Sequence, residues 1–116
     1  MEHMEEKKFL SLLGLCRRAG RLVSGQEMVE TGIRDGSALL VLVAADASDN
    51  TKKRFRDKCT YYEVPFYCVF SKEKIGAALG YELRAAVAVT DEGFAKKMTR
   101  LLNEVQSKDT AAGREV

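Results

Sequence analysis

The sequence predicts an α/β protein folded as a three-layer α/β/α sandwich. Three observations carry that expectation. Helical and extended patterns alternate along the chain with short links between them. The run Ala38-Leu39-Leu40-Val41-Leu42-Val43 has no polar face, as befits a strand covered on both sides. Serine, threonine, aspartate or glycine stands at most of the junctions, where helices start and stop.

The elements follow in order. From Glu5 to Arg18, Phe9, Leu10, Leu12, Leu13, Leu15 and Cys16 recur on a helical stripe, and Gly20 stops the helix. Arg21-Leu22-Val23 is a short extended piece. Ser24-Gly25-Gln26-Glu27 matches a capping box, in which the Ser24 hydroxyl and Glu27 carboxylate satisfy free amides at a helix start. That second helix runs to about Arg34 and ends in Asp35-Gly36. The apolar run 38–43 is then a central strand, parallel to its neighbour. Asp46-Ala47-Ser48-Asp49-Asn50 opens a third helix from Thr51 to about Tyr62. Val64-Pro65-Phe66-Tyr67-Cys68-Val69-Phe70 is the next strand, with the chain's single proline at its start, where a missing donor is tolerated. Ser71 caps a short helix ending at Gly80, and Ala85-Ala86-Val87-Ala88-Val89 is a last strand of small residues. Thr90, followed by Asp91 and Glu92, caps a fifth helix reaching about Val105. Residues 1–105 are expected to be a single domain, and the nearly apolar-free stretch 106–116 a flexible tail.

A chain of 116 residues buries roughly 65% of its unfolded surface, enough for a core without disulfide or metal staples. Hydrophobic residues at 46% and charged residues at 31% exclude wholesale disorder. The longest apolar run, 38–45, falls far short of the ~20 residues of a membrane helix, and the acidic N-terminus has no signal-peptide pattern. A soluble, cytoplasmic protein with no membrane partner is expected. Cys16, Cys59 and Cys68 are odd in number, lack C-x-x-C spacing and sit in apolar or helical stretches, which reads as reduced, buried thiols. The only histidine, His3, lies near a terminus, where chains are poorly ordered. Neither a nucleophile–base pair nor a zinc site can be assembled from it, and G-x-S-x-G and H-E-x-x-H are absent. No catalytic residue, metal, cofactor or small-molecule substrate is expected.

The 19 cations exceed the 17 anions by only two, and no long segment is strongly basic, so any anion site must rest on placement. The most informative place is the start of the second helix. Arg17, Arg18 and Arg21 crowd just before Ser24-Gly25, where free amides and the positive dipole end attract anions. Gly25 admits close approach of a ligand to the backbone, while Gln26 and Glu27 offer polar groups to bases. Lys72, at the start of the fourth helix, supplies a phosphate-pairing ammonium. The loop Tyr81-Glu82-Leu83-Arg84 combines aromatic, apolar and cationic side chains suited to an unstacked base. Lys52, Lys53, Arg54, Arg56 and Lys58 spread around a helix and read as a solvated face, with general attraction to phosphate as the alternative.

The order of these pieces resembles the kink-turn RNA-binding ribosomal protein family, the L7Ae/L30e-type large-subunit proteins, and within it a bacterial ribosomal-protein-like branch. The residues carrying the likeness are Ser24-Gly25, 46–51, Tyr61-Tyr62-x-Val64-Pro65 and 89–94, and it extends from about Phe9 to Leu102. The resemblance implies an α/β/α sandwich around a mixed four-stranded sheet. It also implies a second-helix start that grips sheared G·A pairs and the bent backbone of a kink-turn. The family pattern there is Gly-Thr-Asn-Glu-x-x-Lys. Here the glycine is Gly25, Glu27 takes the asparagine position, Met28 the glutamate position and Thr31 the lysine position. Lys72 matches a family lysine near the extruded nucleotide, and Glu82-Leu83-Arg84 the loop that packs on it. The expected function is therefore non-catalytic binding of a kinked RNA internal loop, ribosomal or other, with Arg17, Arg18 and Arg21 replacing the missing lysine. Glu27, Met28 and Thr31 keep a second expectation open: a protein-interaction adaptor on the same fold, its RNA contact vestigial.

Overall fold

In the computed structural model, which describes residues 2–109 and the side chains of residues 6–104, helices and strands alternate throughout. The order is α1 (Glu2–Arg18), β1 (Leu22–Ser24), α2 (Gln26–Asp35), β2 (Leu40–Val43), α3 (Asp49–Tyr62), β3 (Phe66–Cys68), α4 (Lys72–Leu79), β4 (Ala86–Val89) and α5 (Glu92–Asp109). The strands form one mixed sheet in the order β1-β4-β2-β3. β4 runs antiparallel to both neighbours, with Val87 opposite Ser24 and Leu42, whereas β2 and β3 are parallel, with Val41 opposite Phe66. The parallel neighbour expected for the 38–43 run is thus β3 alone; on its other side lies an antiparallel strand.

Every residue of β2 and β4 is buried, because helices cover both faces of the sheet. α1 packs on α4 and α5, and α2 packs on α3, giving the α/β/α layers. The first layer contributes Phe9, Leu13, Ile75, Leu79, Met98 and Leu102 to the core, and the second Val29, Ile33, Phe55 and Cys59. Full burial of a side chain the size of Phe9 or Phe55 stabilises the fold by about 1.5–3 kcal/mol. Alanines at 86 and 88 keep the most enclosed strand thin enough for both layers to close on it.

Local chemistry agrees with the expected helix ends at several junctions. Ser48 and Ser71 each accept a hydrogen bond from the amide three residues on, at Thr51 and Lys74. Gly36 and Gly80 end α2 and α4 in left-handed conformations. Three expectations are corrected. Ser24 does not cap α2: Gly25 is the cap residue, with φ 97° and ψ 146° and no side-chain cap bond. Ser24 stays in the β1 ladder, and its hydroxyl is taken up by Arg84 instead. At α5 the cap is Asp91, whose Oδ2 accepts from the Phe94 amide at 2.9 Å, rather than Thr90, which still pairs with the β1 end through Arg21 O. α1 begins at Glu2 and α5 extends to Asp109, past the bounds drawn from periodicity. His3 and the stretch 110–116 lie outside the described side chains and residues respectively.

Candidate functional site

Two junctions meet at one end of the sheet. The β1–α2 turn is drawn against β4 by the Gly25 amide, which donates to Ala86 O at 3.0 Å. Glycine is required there, since a φ of 97° with a ψ of 146° is strained for any residue with a Cβ. The first amides of α2, at Gln26, Glu27 and Met28, have no acceptor within the helix, and no side chain caps them. All three residues are exposed. The result is an open helix N-terminus carrying partial positive charge.

The 81–84 loop stands beside it and is held from three sides. The Arg84 amide donates to Lys72 O at 3.1 Å, and the Lys72 amide donates to Asp46 Oδ1 at 2.9 Å. Beneath the loop, Gly76 lies so close that a Cβ would meet Glu82 O at 2.8 Å and Leu83 Cα at 2.9 Å. Above it, the Arg84 guanidinium lies 3.7 Å from the Tyr81 ring centroid, and its Nε donates to Ser24 Oγ at 3.1 Å. Arg17 approaches the same ring from α1 and donates from Nη2 to the Tyr81 hydroxyl at 3.1 Å. Arg17's hydrogen bond and charge, joined by Arg84, hold the Tyr81 phenol below its ordinary value of 10.0. Arg17, Tyr81, Arg84 and Ser24 therefore form one continuous cationic–aromatic surface. Leu83, 52% exposed, projects next to it.

Not all the singled-out residues assemble here. Arg17, Ser24, Gly25, Gln26, Glu27, Lys72, Glu82, Leu83 and Arg84 belong to the two junctions or their supports. Thr31 is exposed one turn further along α2, on the face of Glu27. Arg21 precedes β1 at the Thr90 end, about 13 Å of extended chain from Gly25. Arg18 lines a groove between α1 and α4. The 52–58 cations are largely engaged within the protein. Arg54 forks onto Glu30 at 2.9–3.2 Å, and Lys58 joins it at 3.4 Å. Lys53 pairs with Asp57, Lys52 donates to Ala45 O, and Arg56 lies over Phe66.

Sequence reasoning missed Tyr81 as the centre of the arginine stack, Asp46 as the support of Lys72, and Gly76 as the floor. Tyr81 left a trace as the aromatic of its loop, and Gly76 as a glycine that permits close backbone approach. Among the described residues no group of three His, Cys, Asp or Glu could hold a metal ion. Burial pushes the Cys16 and Cys59 thiols up to about 11, and Cys68, only half-buried, is also raised.

Residues 7–99 match the family model of the ribosomal protein L7Ae/L30e/S12e/Gadd45 family. The RNA-binding protein YlxQ of Bacillus subtilis is 47% identical over 100 residues, which span 86% of this chain and all of that protein. The RNA-binding protein YlxQ of Enterococcus faecium is 42% identical over 102 residues, 88% of this chain and 98% of that one. Among solved structures, a Bacillus halodurans protein of unknown function superposes with a TM-score of 0.80 at 38% identity, covering 83% of this chain and 97% of its own. A Giardia lamblia 15.5kD RNA binding protein superposes with a TM-score of 0.73 over 91% of this chain and 88% of its own; at 19% identity it bears on the fold alone.

Proposed function

The chain belongs to the ribosomal protein L7Ae/L30e/S12e/Gadd45 family, and from that membership we propose that it is a non-catalytic RNA-binding protein recognising a kinked internal loop. The observation that carries the reading is the Arg17–Tyr81–Arg84 stack tied through Ser24 to the uncapped start of α2. A bent RNA backbone meets free amides at the helix tip and guanidinium groups beside it, the arrangement that suits phosphate oxygens. An extruded base packs on exposed Leu83 and the stacked Arg84 plane. The glycine at position 25 lets the ribose–phosphate chain approach without a side chain between.

Departures from the family pattern shape how this works. Glu27 replaces a neutral amide by a carboxylate, and Thr31 removes an ammonium from the helix face. Cationic contact therefore shifts from α2 to the arginines across the β1–α2 turn, and Arg17 and Arg84 carry it. Recognition by shape and by one unstacked base dominates over bulk charge attraction. Titration of a kink-turn RNA, a kink-turn lacking its G·A pairs and a plain duplex, each at two salt concentrations, tests this. Tighter binding of the intact kink-turn at both salts is the expected result, and equal affinity for all three overturns it. Co-sedimentation with ribosomal particles reads whether the RNA is ribosomal.

Met28, 55% exposed at the helix tip, supports a second reading, a protein-interaction adaptor on the same fold. Under that reading, recovered partners survive nuclease treatment of a pull-down; their loss counts for RNA.

A further inference from the structure

Away from the helix tip, α1 and α4 leave an open groove of about 480 Å³ lined by Lys7, Leu10, Ser11, Gly14, Arg18, Lys74, Ala77 and Ala78. Its α1 wall follows helical spacing from Lys7 through Ser11 and Gly14 to Arg18, a length of about 16 Å. We propose that this groove is a track for the phosphate backbone of an RNA stem leaving the kinked element, resting on the reading of the site given above. Three features point to a polyanion. Lys7 and Arg18 make no ion pair with any described residue, while Lys74 is paired with Glu6 at the groove edge. The cations of α3, by contrast, are mostly held by Glu30, Asp49 and Asp57. Lys7 and Arg18 thus leave two uncompensated charges along the groove, whereas most α3 cations already have a carboxylate partner.

Position is the second feature. Arg18 follows Arg17 in α1, and Ala77 and Ala78 precede Tyr81 by only a few residues, so one end of the groove lies near the elements that carry the arginine–tyrosine surface. A kinked RNA sends a stem away from its internal loop, and the groove is where cationic surface continues. The third is the floor. Gly14, Ala77 and Ala78 present little bulk, so a ribose–phosphate strand can settle between cations standing on both walls. An acidic protein segment would meet the same charges, but it would have no reason to begin at the site of a kinked RNA.

The test compares a kink-turn RNA with minimal stems and the same RNA with one stem or the other extended by a helical turn. For the unaltered protein, extending one particular stem tightens binding about tenfold and steepens the slope of log affinity against log salt by about 2, as two further phosphate contacts require. The double variant K7E/S11E places two carboxylates in the groove at exposed positions, with folding checked by circular dichroism. It loses the gain from the extended stem and keeps its affinity for the minimal RNA within about twofold. Wild-type protein that prefers the minimal kink-turn to a duplex but gains nothing from either extension overturns the track alone, and leaves the groove to an acidic protein segment. A variant that weakens minimal and extended RNAs equally also overturns it. Wild-type protein that does not prefer the kink-turn overturns the underlying reading of the site.

Discussion

Arg84 is engaged on three sides at once: its amide on Lys72 O, its Nε on Ser24 Oγ and its guanidinium plane on the Tyr81 ring. A side chain fixed in this way presents its remaining donors without the loss of rotamer freedom that a loose surface arginine suffers on binding. Arg84→Ala is therefore expected to weaken kink-turn binding by roughly tenfold, or about 1.4 kcal/mol, while Tyr81→Phe, which keeps the ring and removes only the hydroxyl's contacts with the arginines, costs under about 1 kcal/mol. Fluorescence anisotropy on the two variants checks the order, and a larger effect from Tyr81→Phe would place the chemistry on the phenol. At this scale the sequence was an uneven guide. Gly25 announced itself, because a glycine between a strand and a helix has few other uses. Ser24 misled, because S-x-x-E spacing is a statement about helix starts only when the serine itself leaves the strand, and pairing with Val87 keeps it there. The Arg17–Tyr81 contact joins residues 64 positions apart, and no local pattern encodes it.

Helices and strands place these residues through two clamps. One is Gly76 in α4, over which the 81–84 loop lies in backbone contact. Gly76→Ala forces a Cβ against main-chain atoms that cannot rotate away, so a stability loss of about 1–3 kcal/mol is expected, with a displaced loop and weaker RNA binding; a thermal melt and the same anisotropy titration read both. The other is Glu30, which holds α2 to α3 through Arg54 and Lys58. Burial pushes its carboxyl up, but the hydrogen bonds and charges of Lys58 and Arg54 prevail and keep it below its ordinary 4.5. A group held low in the fold takes up protons less readily there than in the unfolded chain. Its stabilisation is present in full above the ordinary value and is lost as pH falls through the lowered one. Glu30→Gln is expected to cost about 1 kcal/mol at neutral pH and to lose less further stability than wild type between about pH 5 and pH 3. Urea midpoints across that range decide it. Element identity was legible from periodicity and caps, since apolar spacing and Ser48, Ser71 and Gly80 act locally. Of the ends that shifted, those at Thr90 and Val105 did so because neighbouring residues offered an equivalent cap or continued the helix.

Across the whole molecule, the sheet order and the charge distribution set what the protein presents to a partner. Cys16 and Cys59 lie within the two helical layers with thiols raised to about 11, so their alkylation at about pH 8 is expected to follow global unfolding. Modification of the native protein at the rate of a free thiol would show instead that the layers open locally. By itself the sequence determined the class of fold and the two-sided burial of the 38–43 strand, because burial patterns, caps and glycine turns are written in residues close together. It also determined that no strong net charge would do the binding. The tertiary structure alone decided which cations remain available. The 52–58 cluster, the densest in the chain, is largely tied up by Glu30, Asp49 and Asp57, while Arg17 and Arg84, far apart in sequence, converge on one tyrosine. Charge pairing depends on distances across the fold, and those exist only once β4 is inserted between β1 and β2.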